Sequence, residues 1–333
     1  MMKKFIPVFL AMVIFLSCGA ANAAPIVIKI GSTATDESAS GIATREHFKP
    51  YVEEKSGGRL KVEIFFNSIL GGDRQMLESL QMNTLQADLT PATVLAGFSP
   101  DFNVADAPFL FKDKKTAHAA LDGEFGALLS STLKNRGIRV LGYPENAFRN
   151  ISTNKREVKT LEDMKGLKIR VMEGPVYINT MKALGANATP MSFGELYTAI
   201  QQGTVDGQDN GVVITYTSKL HEVVKFYTFT EHCYASNAYA FSEDFLQSLP
   251  ADLLKIVEDG IKVAVKAQRD LNTKQEAEMT KEMEKAGVTI NRLSAEEKER
   301  WRKATAHVLE GLAGTVSKDV LEAAKKVNEV YGQ

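Results

Sequence analysis

Two cysteines among 333 residues, Cys18 and Cys233, rule out a disulfide framework. Five scattered histidines beside so few cysteines give no metal-ligand spacing, so no metal or other cofactor is expected. Charge of one sign is missing too. Forty Lys and Arg stand against 41 Asp and Glu with no basic stripe, which argues against a nucleic-acid partner. No apolar run reaches the ~20 residues that a bilayer-spanning helix needs. The motifs G-x-S-x-G, G-x-G-x-x-G, the Walker loop and H-E-x-x-H are all absent. His221-Glu222 comes nearest to the last, but Lys225 stands where a second zinc-binding histidine would be.

The N-terminus carries Lys3-Lys4, an apolar run from Phe5 to Cys18 broken only by Pro7 and Ser17, and then Ala21-Asn22-Ala23. This is the pattern of a secretory signal peptide at 1–23, with cleavage after Ala23. A lipoprotein reading through Leu16-Ser17-Cys18-Gly19 is the alternative. Cleavage removes two lysines and no acid, which leaves 38 basic against 41 acidic residues, a formal charge of −3. The mature chain then has a lone Cys233 and must draw its stability from its core. About 310 residues are many for a single core, and two domains are expected.

From Ile26 onward the pattern alternates. IVIKIGS reads as a strand, Ile42 to Glu54 as an amphipathic helix and RLKVEIFF (59–66) as a second strand. Helices are expected over Asp73 to Asn83 and from about Thr116 to Asn135, the latter leading into the strand RVLGY (139–143). A second alternating unit begins near Phe148 and includes the KIRV strand, a helix opening at Pro175 and a helix opening at Ser192. Ser192 and Glu195 have capping-box spacing, and Gly203 closes that helix. After Pro250 some 35 residues of helix-forming composition run without proline to Gly287, and another helical stretch opens at Ser294, with Glu297 in capping-box position, and passes through Trp301 to Leu312. Two α/β units with long C-terminal helices imply two lobes tied by crossings.

FRNISTN (148–154), MKGLKIRV (164–171) and DGQDN (206–210) hold the chemistry. In KIRV, Ile169 and Val171 share one face of a strand and Arg170 projects from the other. A guanidinium held in that way fits a carboxylate, because its planar fork matches two oxygens at once. The residues therefore suggest a receptor for a small carboxylate.

LGGDRQMLESLQ (70–81), PFLF (108–111), MKGLKIRV, ALGANATPMSFGELYTAIQQGTVDGQDN (183–210) and EVVKFYTFTEH (222–232) together resemble the solute receptors of TRAP transporters, the DctP family, over nearly the whole mature chain. The resemblance implies two α/β lobes joined by hinge strands, a long helix packed along both, and a cleft that closes on an organic acid. Lobe I would comprise 24–147 plus about 236–275, and lobe II 148–235 plus about 276–333. The resemblance also implies a periplasmic, monomeric protein that hands its ligand to membrane permease subunits of the DctQ/DctM type. By the same resemblance Arg170 is the carboxylate clamp, Arg149 a second ligand-contacting arginine, Asn210 a hydrogen-bonding selector and Phe193 an aromatic wall. Thr33 and Asn237 match further ligand-touching positions. Gly72 and Pro91 stand where sialic-acid receptors carry acids, which counts against that ligand. A sugar acid such as a uronate is expected, with a C4-dicarboxylate or a 2-oxo acid close behind. Two other functions share the architecture: a periplasmic lyase-like enzyme acting on a carboxylate, and a sensory receptor.

Overall fold

The computed structural model of the protein describes residues 24–332, so the expected signal peptide and Cys18 lie outside the described residues. Its strands are β1 (Ile26–Gly31), β2 (Leu60–Phe65), β3 (Ala87–Pro91), β4 (Ile138–Gly142), β5 (Glu145–Thr153), β6 (Lys168–Val171), β7 (Asn187–Pro190), β8 (Gly207–Asn210), β9 (Phe226–Ser242) and β10 (Thr289–Arg292). They are ordered β2-β1-β3-β9-β5-β8-β6-β7, with β4 and β10 also paired to β9.

β9 ties the molecule together. Its first half pairs with β5 and β10, and its second half, from Asn237, pairs antiparallel with β3 and then β4. One 17-residue strand thus belongs to both lobes of a two-lobed α/β fold. The short connection from β4 to β5 makes a second crossing. A third is the helix Ala251–Lys285, as long as its proline-free composition predicts. Its Leu253, Val257 and Ile261 enter the first-lobe core with Ile28, Phe48 and Phe241, while Met283 packs with Tyr227 and Phe229 in the second.

Local departures from the sequence reading have physical causes. The first expected helix begins earlier, at Ala39, because Ser38 Oγ caps it by accepting from Gly41 N–H at 3.1 Å. The helix expected from Thr116 to Asn135 is split into Lys114–Asp122 and Glu124–Ser131, since Gly123 is extended and ends one while opening the other. Ser192 does not cap: Phe193–Glu195 form a tight 3-10 turn and the α-helix proper is Leu196–Gln201. Ser294 does cap, its Oγ accepting from Glu297 N–H at 3.2 Å. A final helix, Lys318–Tyr331, turns Val320, Leu321, Ala324 and Val327 inward as one stripe. That stripe packs with Phe102, Phe125 and Leu129, so the end of the chain lies against the segments Pro100–Asp106 and Glu124–Ser131.

Among the described residues no helix is long and apolar enough to cross a membrane.

Candidate ligand site

A cavity of about 500 Å³ opens between the lobes, large enough for a small metabolite. The first lobe contributes Thr33, the turn at Ser68–Gly72 and Asp73. The second contributes Arg149, Arg170, Phe193 and Asn210, and the crossing segments contribute Glu145, Asn146 and Asn237. All six residues singled out in the sequence, Thr33, Arg149, Arg170, Phe193, Asn210 and Asn237, border this one space.

Sheet register brings the second-lobe residues together. β6 runs parallel to β8 and β7, with Arg170 opposite Gln208 and Thr189, and β5 pairs antiparallel with β8, with Asn150 opposite Asn210. Glycine makes this pairing possible: a Cβ on Gly207 would lie 2.1 Å from Ser152 O, and one on Gly211 would lie 2.2 Å from Ala147 Cβ. Larger residues there would push β8, and Asn210 with it, off β5.

Arg149 is almost wholly enclosed. Its Nε donates to Asp209 Oδ2 at 2.6 Å, Nη2 donates to Asp209 O, and Nη1 reaches Asn210 Oδ1 at 3.4 Å. The Tyr177 ring lies 5.0 Å from its Cζ. Between Thr228 and Cys233, β9 bulges, with Glu231 in the left-handed region at φ 49°. The bulge brings the His232 ring to 3.6 Å from Asp209. Burial works against the charge on Asp209, but Arg149 and His232 overcome it and hold the carboxyl well below its usual range. Burial likewise opposes the charge on Arg149, and Asp209 holds it above the ordinary arginine value. Asp106, enclosed beside this pair, is pushed up by burial to about 6.

Arg170 is just as buried but differently matched. Its Nε and Nη2 both donate to Met191 O, at 2.9 and 2.8 Å, while Nη1 has no hydrogen-bond partner. Among the described residues no carboxylate forms an ion pair with it. Burial, reinforced by the charge of Arg149, pushes it down to about 10, so it stays cationic near neutrality. Phe193 lies 5.8 Å from its Cζ and covers one side of the fork.

Asn210 Oδ1 accepts from Gly211 N–H at 3.2 Å. Asn237 accepts from Asn146 Nδ2 at 3.3 Å and reaches Ser40 Oγ at 3.5 Å. Thr33 donates its hydroxyl to Asp73 Oδ1 at 2.8 Å.

Sequence reasoning missed part of the wall. Glu145, buried at the β4–β5 crossing, is held by Lys114 Nζ at 2.8 Å, His118 Nε2 at 2.9 Å and Asn272 Nδ2 at 2.7 Å. Gln268 Nε2 donates to Glu145 O at 2.7 Å, and Gln268 Oε1 accepts from Glu145 N at 2.9 Å. A signal for Gln268 and Asn272 did exist: these amides, four residues apart, continue the buried apolar stripe of Val257, Ile261 and Ala264. Asp73 carried no such signal, since an acid opening a helix is ordinary. Among the described residues no group of acids, histidines and cysteines could hold a metal ion.

Comparison with known proteins agrees with this architecture. Residues 30–314 match the family model "Bacterial extracellular solute-binding protein, family 7", DctP. The structure is similar to the sugar acid binding protein DctPAm of Advenella mimigardefordensis in complex with galactonate, at a TM-score of 0.86 and 34% identity, covering 91% of this chain and 99% of that one. In sequence the chain is 32% identical to the C4-dicarboxylate-binding periplasmic protein DctP of Rhodobacter capsulatus, over 92% of both chains. It is also 31% identical to the 2,3-diketo-L-gulonate-binding periplasmic protein YiaO of Escherichia coli, over 79% of this chain and 80% of that one. The chain belongs to the DctP family of extracellular solute-binding proteins, the receptors of TRAP transporters.

Proposed function

We propose that this receptor captures a small organic acid in the periplasm, clamps its carboxylate with Arg170 and delivers it as a monomer to membrane subunits of the DctQ/DctM type. The observation that carries the reading is the Arg170 guanidinium: enclosed, cationic, bordering the cavity and left with one donor nitrogen unpartnered. A buried charge without a counter-charge is costly, and a ligand carboxylate removes that cost. Asn210 gives direction without adding charge, Phe193 walls the clamp, and Thr33 and Asn237 meet the ligand from the first-lobe side. Arg149 brings a charge already matched by Asp209, so in this reading it steadies Asn210 and adds only weakly to the attraction. A ligand that touches both walls favours the closed arrangement of the two lobes by its differential affinity for that state.

The ligand class is a sugar acid such as a uronate, or else a C4-dicarboxylate or a 2-oxo acid. Relatives named for a sugar acid, a diketo sugar acid and C4-dicarboxylates support that range. In this reading the role is binding without turnover, as the solute-binding family suggests.

Native mass spectrometry of the mature protein, followed by a thermal-shift screen of uronates, aldonates, dicarboxylates and 2-oxo acids, tests this. Binding to the folded form alone should stabilise it by about 2.7 kcal/mol at a hundredfold excess over Kd. No co-purified acid and no shift with any carboxylate would sink the receptor reading of Arg170.

A further inference from the structure

We propose that Asp73 makes this site selective for a monocarboxylate bearing several hydroxyl groups over a dicarboxylate. The inference rests on the receptor reading above and concerns the wall opposite the clamp. Three cations border the cavity, Arg74, Arg149 and Arg170. Arg149 is bonded to Asp209 at 2.6 Å and Arg74 to Glu78 at 3.0 Å. Of these three, Arg170 alone forms no ion pair among the described residues, although the charges of Asp73 and Glu173 act on it, so the site offers one unpaired cation to a ligand carboxylate.

A second ligand carboxylate would find only Arg74, held by Glu78 in an exposed pair, and would meet Asp73. This acid opens the helix Asp73–Gln81 on the first-lobe side and is half-buried. One of its oxygens accepts from Thr33, and among the described residues no cation pairs with it. A carboxylate has about four lone-pair sites, so acceptor capacity remains for ligand hydroxyls.

Behind Asp73, on β3, lies the fully buried Asp88, whose two carboxylate oxygens have no hydrogen-bond partner. Two adjacent acids do not both ionise readily. Asp88, with nothing to stabilise an anion, is the one kept neutral, and burial together with the charge of Asp73 pushes its carboxyl well up. Burial raises Asp73 as well, and the hydrogen bonds of Thr33 and Thr90 and the charge of Arg170 offset that rise only in part. Elsewhere on the wall Asn146, Asn210 and Asn237 offer hydroxyls amide donors and acceptors without charge, while Glu173 adds a further acid beside Arg170.

Calorimetric titration of four- to six-carbon aldonates and of succinate tests the assignment in the wild type, Asp73→Asn, Thr33→Val and Arg170→Ala. The wild type should bind its best aldonate at least about a hundredfold more tightly than succinate, since like-charge juxtaposition is heavily penalised. Asp73→Asn should narrow that ratio about tenfold or more, weakening the aldonate and strengthening succinate. Thr33→Val, which frees the carboxylate without removing it, should leave succinate excluded and reads the same wall if Asp73→Asn fails to fold. Succinate binding as tightly as any aldonate to the wild type, a ratio unmoved by Asp73→Asn, or succinate admitted by Thr33→Val would each overturn the selectivity role. In those cases loss of both ligands in Arg170→Ala would leave the receptor reading standing. Carboxylate binding that survives Arg170→Ala, or its absence from the wild type, would overturn the receptor reading and this inference with it.

Discussion

Arg149 and Arg170 lie on strands separated only by β8, and both are almost completely buried, yet their surroundings differ in kind. Around Arg149 the protein supplies the counter-charge: Asp209 at 2.6 Å, with Asn210 and the Tyr177 ring closing the remaining sides. Around Arg170 it supplies a single carbonyl, Met191 O, and leaves a nitrogen empty-handed. Burial therefore does not distinguish the two arginines. The presence or absence of an internal anion does.

The largest expected effect tests the matched side. Arg149→Met strands Asp209 in the interior and should cost about 3–5 kcal/mol of unfolding free energy, measured by denaturant titration. A loss below about 1 kcal/mol would break the contrast at its root.

Next comes pH, because two acids beside Arg149 act with opposite sign. Asp209, held low, contributes stability that is present above its unfolded value and lost as pH falls. Asp106, raised from 3.8 to about 6, contributes stability that is full below about 4 and lost as pH rises through about 6. Asp106→Asn should remove this decline between pH 4 and 6 and leave the variant more stable at pH 7 by at most about 3 kcal/mol. An unchanged slope in that window would show that Asp106 titrates normally.

On the unmatched side, Arg170→Ala should weaken carboxylate binding at least about a hundredfold, or about 2.7 kcal/mol, while Tm stays level or rises because an unpaired buried cation has gone. A variant that unfolds instead would place Arg170 with Arg149 as a structural residue. The smallest expected effect sharpens the comparison without threatening it: Phe193→Leu keeps an apolar cover but removes the ring face, for a two- to fivefold loss of affinity, about 0.5–1 kcal/mol, with Tm unchanged.

Much of this was legible in the sequence where the signal is local. The KIRV alternation puts Ile169 and Arg170 on opposite faces, and the proline-free stretch after Pro250 gives a helix of the expected length. What could not be read depends on partners far along the chain. Asp209 stands in the same DGQDN stretch as Asn210, but that it neutralises Arg149 follows from the β5–β8 register, 60 residues apart. The Ser192–Glu195 spacing promised a capping box, and a 3-10 turn displaced it while Phe193 came to border the cavity. The packing of the last helix on Phe102, Phe125 and Leu129 was likewise invisible, because its apolar stripe shows that it packs and not on what.

β9 also sets a timetable. The first-lobe strands β1, β2 and β3 await residues 237–242 for their neighbour, the second-lobe strand β5 awaits residues 226–236, and the core around Phe102, Phe125 and Leu129 stays uncovered until Val320 to Val327 arrive. Neither lobe can finish during synthesis, since each needs chain made late, and contacts of such long sequence separation form slowly. The strand that joins the lobes is thus also what makes the completion of each wait on the late part of the chain.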